Sequence, residues 1–270
     1  MEKLKSLESD SIKLIKSIPQ IAQRPAMLWS TGKDSTLSLF LVRKAFGYFP
    51  WPVYHIDTGR KYQEIYDFRD RLKLKWNIPL RIIRNDEAMQ LGLGPDKISK
   101  WDCCTTFKTN VLKEEVKKRG FDCLLLSIRF DEHYVRGMED LISKRDEQGN
   151  WDPKKAFGGF GLVAEEKEAY NHIRVHPILP WSEKEVWEYT LLNDIPVNPL
   201  YFAREAEDGR WYRYRSLGCM PCTEPLESRA QSVQDILSEV YMNPGLERSG
   251  RMQDKEQEDA MMKLRQWGYM

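Results

Sequence analysis

The residues best equipped for chemistry lie together in Ser30-Thr31-Gly32-Lys33-Asp34-Ser35. An apolar run, Ala26-Met27-Leu28-Trp29, precedes them, and Leu37, Phe40 and Leu41 follow at helical spacing. A loop joining a buried strand to a helix start offers unpaired backbone N–H groups and the positive end of the helix dipole, which together favour a phosphate. Gly32 lets the backbone come close, Lys33 adds a point charge, and the Ser30 and Ser35 hydroxyls donate hydrogen bonds. Asp34 can orient Lys33 or help hold a Mg²⁺ ion beside a bound phosphate. The spacing is not that of a Walker A loop. An ordinary polar strand-to-helix turn is the plain alternative.

A second constellation is sulfur. The chain has five cysteines, four of them in two close pairs, Cys103-Cys104 and Cys219-Met220-Pro221-Cys222. Adjacent cysteines with a distant Cys-x-x-Cys can surround one metal centre, and four thiolates suit zinc or a four-iron cluster. Buried thiols that only fill gaps are the alternative. Cys123 falls inside a predicted strand and reads as core. His133, His172 and His176 have no ligand spacing with these cysteines and receive no metal role.

The elements that would position both sets alternate strand and helix. Strands are expected at 26–29, 53–56, 80–83 and 123–128. Helices are expected at 35–45, 62–76 and around Phe107–Val116, after a first helix bearing Leu7, Ser11, Leu14 and Ile18. This alternation predicts an α/β fold, a twisted and mostly parallel sheet with helices on both faces. Such sheets bind ligands at the carboxyl ends of their strands. The loop at 30–35, Asp57-Thr58-Gly59 and Ser127–Glu132 all follow predicted strands; Asp57 as a strand-end cap and Arg129 in a surface ion pair are the plain alternatives. Residues 1–180 are expected to form the nucleotide-binding domain, with a mobile excursion near 131–171. Residues 181–270 are expected to be helical, to carry Cys219 and Cys222, and to end in a charged tail. Ser182-Glu183-Lys184-Glu185 has capping-box spacing and opens one helix; Val233, Ile236, Leu237 and Val240 mark another.

Composition is that of a soluble protein with a core: 41% apolar and 31% charged residues over 270 positions. A formal net charge of +1 supplies no global attraction to nucleic acid or to an anionic membrane. No apolar run reaches membrane-spanning length, and the first residues lack a signal-peptide centre, so a cytoplasmic location with reduced thiols is expected.

The loop resembles the pyrophosphate loop of the PP-loop ATP pyrophosphatases, usually Ser-Gly-Gly-Lys-Asp-Ser, with Thr31 in place of the first glycine. His55–Gly59 with Glu64–Arg71, and Arg129-Phe130-Asp131-Glu132, resemble elements of the phosphoadenosine phosphosulfate reductases and of the sulfate adenylyltransferase small subunit. Trp151–Lys154, Pro199–Ala203, Glu247-Arg248-Ser249-Gly250-Arg251 and the ending Arg265–Tyr269 resemble the small subunit as well. The resemblance implies splitting of ATP between its α- and β-phosphates, with Lys33, Asp34 and Arg129 catalytic and Ser30–Ser35 and Asp57 binding nucleotide. Cys103-Cys104 with Lys108, and Gly218–Thr223, resemble the [4Fe–4S] motif of adenylylsulfate reductases, whose lysine lies between cluster and substrate.

These likenesses diverge in function. No cysteine follows Cys222 to act as a reductase nucleophile. ATP motifs combined with a cluster resemble the pyrophosphatase component of DNA phosphorothioation systems, which implies DNA as acceptor and a cysteine desulfurase and DNA-modification components as partners. The alternative is a sulfate adenylyltransferase subunit working with a GTPase subunit. A reductase, a tRNA thiolase and a non-catalytic nucleotide-binding subunit are weaker readings.

Overall fold

The computed structural model describes residues 1–155, 171–243, 247 and 260–268. Six strands form the main sheet: β1 (Pro25–Leu28), β2 (Val53–Ile56), β3 (Leu80–Ile83), β4 (Cys123–Leu125), β5 (Ile142–Arg145) and β6 (His172–Val175). Their order is β3-β2-β1-β4-β6-β5, parallel throughout except for β5, which pairs antiparallel with β6. This is the α/β architecture expected from the alternation of elements.

Helices α1 (Glu2–Ile21), α2 (Lys33–Phe46), α3 (Gln63–Trp76), α4 (Asp86–Gln90), α5 (Lys100–Cys104) and α6 (Asn110–Arg119) precede or connect the strands. Side chains of a strand alternate between faces, and here both faces are apolar. Met27, Trp29, Val53, Cys123, Leu125 and Val175 pack with Ile15, Leu37, Leu41 and Phe68 in one cluster. Ala26, Leu28, Tyr54, Ile56, Leu124 and Leu126 pack with Val111, Leu112 and Val116 of α6 in another. Burial on both sides explains why these strands read as continuous apolar runs. Cys123 is fully buried in the first cluster.

The chain runs outward from β1 to β3 and then crosses back to place β4 on the other side of β1. That reversal opens a crevice at the carboxyl ends of β1 and β4, the usual ligand site of such sheets. β4 is shorter than its sequence suggests. Leu126 still donates to the Val175 carbonyl at 2.9 Å, but β6 ends there, so 127–128 leave the ladder and turn toward the crevice.

Residues 131–145, read from sequence as the start of a polar excursion, instead carry α7 (Tyr134–Gly137) and β5. Residues 156–170 of that excursion lie outside the described residues. Beyond β6 come α8 (Glu183–Leu192), a small antiparallel sheet of β7 (Arg204–Glu205), β8 (Trp211–Arg213) and β9 (Leu226–Glu227), α9 (Val233–Met242) and α10 (Ala260–Gln266). Both α8 and α9 start with a full capping box. Among the described residues, no helix is long and apolar enough to cross a membrane.

Candidate active site

The loop between β1 and α2 lies at the crevice. Gly32 is the N-cap of α2 and has no side chain with which to cap it. The Lys33 N–H instead donates to the Tyr201 hydroxyl at 2.9 Å. Ser35 Oγ donates to the Gly32 carbonyl at 3.1 Å and lies 3.0 Å from Ser30 Oγ, so the two hydroxyls brace the turn. Thr31 adopts φ 70°, a left-handed conformation in which a β-branched side chain is strained. Its side chain is fully buried, and its Oγ1 has no hydrogen-bond partner among the described residues. Ser30, Gly32, Asp34, Ser35 and Lys108 line the crevice cavity together with apolar Leu28, Tyr54 and Ile56.

Lys33 and Arg129 stand behind that wall. Neither side chain has any exposure. Asp34 holds both, through Lys33 Nζ at 3.1 Å and Arg129 Nε at 2.6 Å. Glu247 also pairs with both cations, through its two carboxylate oxygens. Burial opposes the charge on Lys33 and on Arg129, but Asp34 and Glu247 outweigh it and raise both pKa values. Ion pairs sequestered like this depend on full compensation, because an unpaired buried charge is costly.

The Arg129-Phe130-Asp131-Glu132 element extends this network, and Glu132 also lines the crevice cavity. Asp131 pairs with Arg129 and accepts from the Glu183 N–H at 2.8 Å, capping the start of α8. Glu183 in turn pairs with Arg215 at 2.7 Å, and Glu132 pairs with Arg136. Asp57 Oδ1 accepts from the Gly59 N–H and from the Tyr66 hydroxyl, each at 2.8 Å. It thus caps the end of β2, and its side chain contributes no wall to the crevice cavity.

The four paired cysteines converge. Cys103, Cys104, Cys219 and Cys222 line one small cavity with Thr58, Phe107, Pro221 and Lys108. A π-bulge, Thr105–Thr109, joins α5 to α6; π-bulges frequently mark functional sites. It carries Lys108, whose Nζ lies 3.6 Å from Cys104 Sγ, and Lys108 borders both this cavity and the crevice. Burial, with the neighbouring thiols, pushes Cys103 up to about 12 and also raises Cys222. Among the described residues, no three cysteine, histidine or acidic side chains form a group able to hold a metal ion as they stand. His172 and His176 are buried, and burial lowers them to about 2 and about 3.

Tyr201 and Glu247 were missed by sequence reasoning. Both belong to segments noted for their likeness to the small subunit, but without a role; that likeness was the available signal.

A mostly parallel sheet with the start of α2 at its switch point, backed by a lysine and an arginine, defines the nucleotide-binding α/β class with a pyrophosphate loop. The chain belongs to the phosphoadenosine phosphosulfate reductase domain family, whose model matches residues 24–225. It is 34% identical to sulfate adenylyltransferase subunit 2 of Shigella dysenteriae serotype 1 (strain Sd197), over 98% of this chain and 97% of that protein. The corresponding protein of Escherichia coli O1:K1 / APEC matches with the same identity and coverage. Among solved structures, phosphoadenylyl-sulfate reductase from Candida auris aligns with a TM-score of 0.55 at 16% identity, covering 83% of this chain and 97% of that one. Candida glabrata FMN adenylyltransferase, in complex with FMN and the ATP analogue AMPCPP, aligns with a TM-score of 0.56 at 15% identity, covering 83% and 64%. These two likenesses concern the fold alone.

Proposed function

We propose that the protein cleaves ATP between its α- and β-phosphates and transfers the adenylyl group to sulfate, giving adenylylsulfate and pyrophosphate, with a GTPase subunit as partner. The observation that carries this reading is the placement of the Ser30–Ser35 loop at the β1/β4 switch point, with Lys33 and Arg129 immediately behind it. The near full-length likeness to sulfate adenylyltransferase subunit 2 favours sulfate as the acceptor. Loop N–H groups and the Ser30 and Ser35 hydroxyls would hold the pyrophosphate end of ATP. Lys33 and Arg129 would spread the charge that develops on leaving pyrophosphate, and an acceptor held in line gains much of its rate from orientation. Asp34 lines the cavity and is the residue we assign to Mg²⁺, which supplies further charge neutralisation. The test is pyrophosphate release from ATP with and without sulfate and the partner subunit. Sulfate-dependent release supports the reading; release indifferent to sulfate removes it.

A second reading is favoured by the thiol cavity beside the crevice, separated from it by Lys108. The thiols Cys103, Cys104, Cys219 and Cys222, which share the cavity with Arg60 and Lys108, are the donor type of a [4Fe–4S] cluster, with zinc on the same ligands as the alternative, although as they stand no three of them form a group able to hold a metal ion. A cluster would supply the positive charge that lets these thiols ionise, and Lys108 would steady an anion between the two cavities. Such a site fits an ATP pyrophosphatase that activates a DNA backbone phosphate for sulfur, with a cysteine desulfurase as donor. DNA-stimulated pyrophosphate release in the presence of those partners separates this reading from the first.

A further inference from the structure

Lys33 and Arg129 come from different strand ends, yet one carboxylate holds both. Oε1 of Glu247 meets Lys33 Nζ, and Oε2 meets an Arg129 terminal nitrogen. The Glu247 side chain is 3% exposed, and it lines the crevice cavity while the two cations lie behind it. The groups facing this carboxylate are Lys33 and Asp34 of α2, Arg129, Glu183 of α8, Tyr201 and Arg215. A carboxylate and a phosphate satisfy a lysine–arginine pair in the same way, through charge-assisted hydrogen bonds. Two anions crowded onto one pair of buried cations repel each other. A phosphate that reached this pair would therefore compete with Glu247 for the same partners.

We propose that Glu247 is a positioning residue that holds Lys33 and Arg129 in the ligand-free protein and is displaced by the pyrophosphate end of ATP, so that it sets the balance of affinity between ATP and AMP. The inference rests on the ATP reading above and adds the residue that opposes it. ATP binding must break both Glu247 ion pairs, and the energy spent on that is lost from its affinity. AMP lacks the β- and γ-phosphates and leaves those pairs intact. A carboxylate with a purely structural role would shift both ligands together.

The experiment is calorimetric titration of the full chain and its Glu247→Gln variant with Mg·ATP, Mg·pyrophosphate and AMP. Glu247→Gln is expected to bind ATP and pyrophosphate about tenfold more tightly, with AMP affinity changed by less than about twofold. Glu247→Asp withdraws the charge on a shorter stem; it is expected to shift affinity the same way by a smaller factor, and it covers the case in which the glutamine variant does not fold. Wild-type protein that binds ATP, with variants whose ATP affinity is unchanged, weakened or shifted in step with AMP, overturns this inference alone. Wild-type protein that fails to bind ATP at all overturns the underlying reading as well.

Discussion

The Tyr201 hydroxyl accepts the backbone N–H of Lys33 at 2.9 Å, a contact between residues 168 positions apart in sequence. It fixes the first turn of α2 from outside the loop, while the Tyr201 ring packs edge-on against Trp187 at 5.2 Å. Tyr201→Phe keeps that packing and orphans a buried donor. Urea unfolding is expected to show a loss of about 1–3 kcal/mol. An unchanged midpoint would mean that water or another acceptor replaces the hydroxyl.

Thr31 holds a backbone angle that glycine adopts without penalty. At ordinary positions alanine is more stable than glycine. At position 31 the order is expected to reverse, with Thr31→Gly more stable than Thr31→Ala by about 1 kcal/mol. Thermal unfolding of the two variants decides it. Alanine equal to or above glycine would show that the loop relaxes out of the left-handed conformation.

Glu139 is buried with Arg145 and Arg265 as ion-pair partners, the Arg145 contact at 2.8 Å, and so ties β5 to α10. Burial alone would raise its pKa, but Arg145 and then Arg265 outweigh it and hold the carboxyl well below its usual range. A depressed carboxylate contributes stability that is present above its unfolded pKa, about 4.3, and is lost as pH falls toward the folded value. Glu139→Gln is expected to cost about 3–5 kcal/mol at neutral pH and to flatten the acid limb of stability below pH 4.3. Parallel acid limbs in variant and wild type would contradict the assignment.

The thiol cavity makes a compositional prediction. On the second reading, protein purified without oxygen is expected to carry iron and acid-labile sulfide, and Cys104→Ser or Cys222→Ser to lose both while still binding ATP. Colourless protein with stoichiometric zinc would give the site to zinc. Metal-free protein with four freely titrating thiols would leave them as packing residues.

What was legible in the sequence was local. The 30–35 loop, Asp57 and Arg129 each follow a strand whose apolar run can be read directly, so the mostly parallel sheet is legible from pattern, whereas the strand order and its switch point are not. Asp57 stands at a strand end, where its Oδ1 accepts from Gly59 and Tyr66. β5 was missed because Ile142-Ser143-Lys144-Arg145 has no apolar alternation; its buried faces are a serine and an arginine. The π-bulge that carries Lys108 has no propensity signature. Tyr201 and Glu247 reach Lys33 across 168 and 214 positions, distances over which spacing carries no information.

The most direct measurement is sulfate-dependent pyrophosphate release from ATP, with the partner subunit present, by wild type and Lys33→Ala, with circular dichroism to establish that the variant is folded. Wild type is expected to release pyrophosphate, and the folded variant to lose about 10²–10³-fold of that rate, as when one charge-stabilising donor is removed. A folded Lys33→Ala protein that turns over like wild type would remove the 30–35 loop from the chemistry.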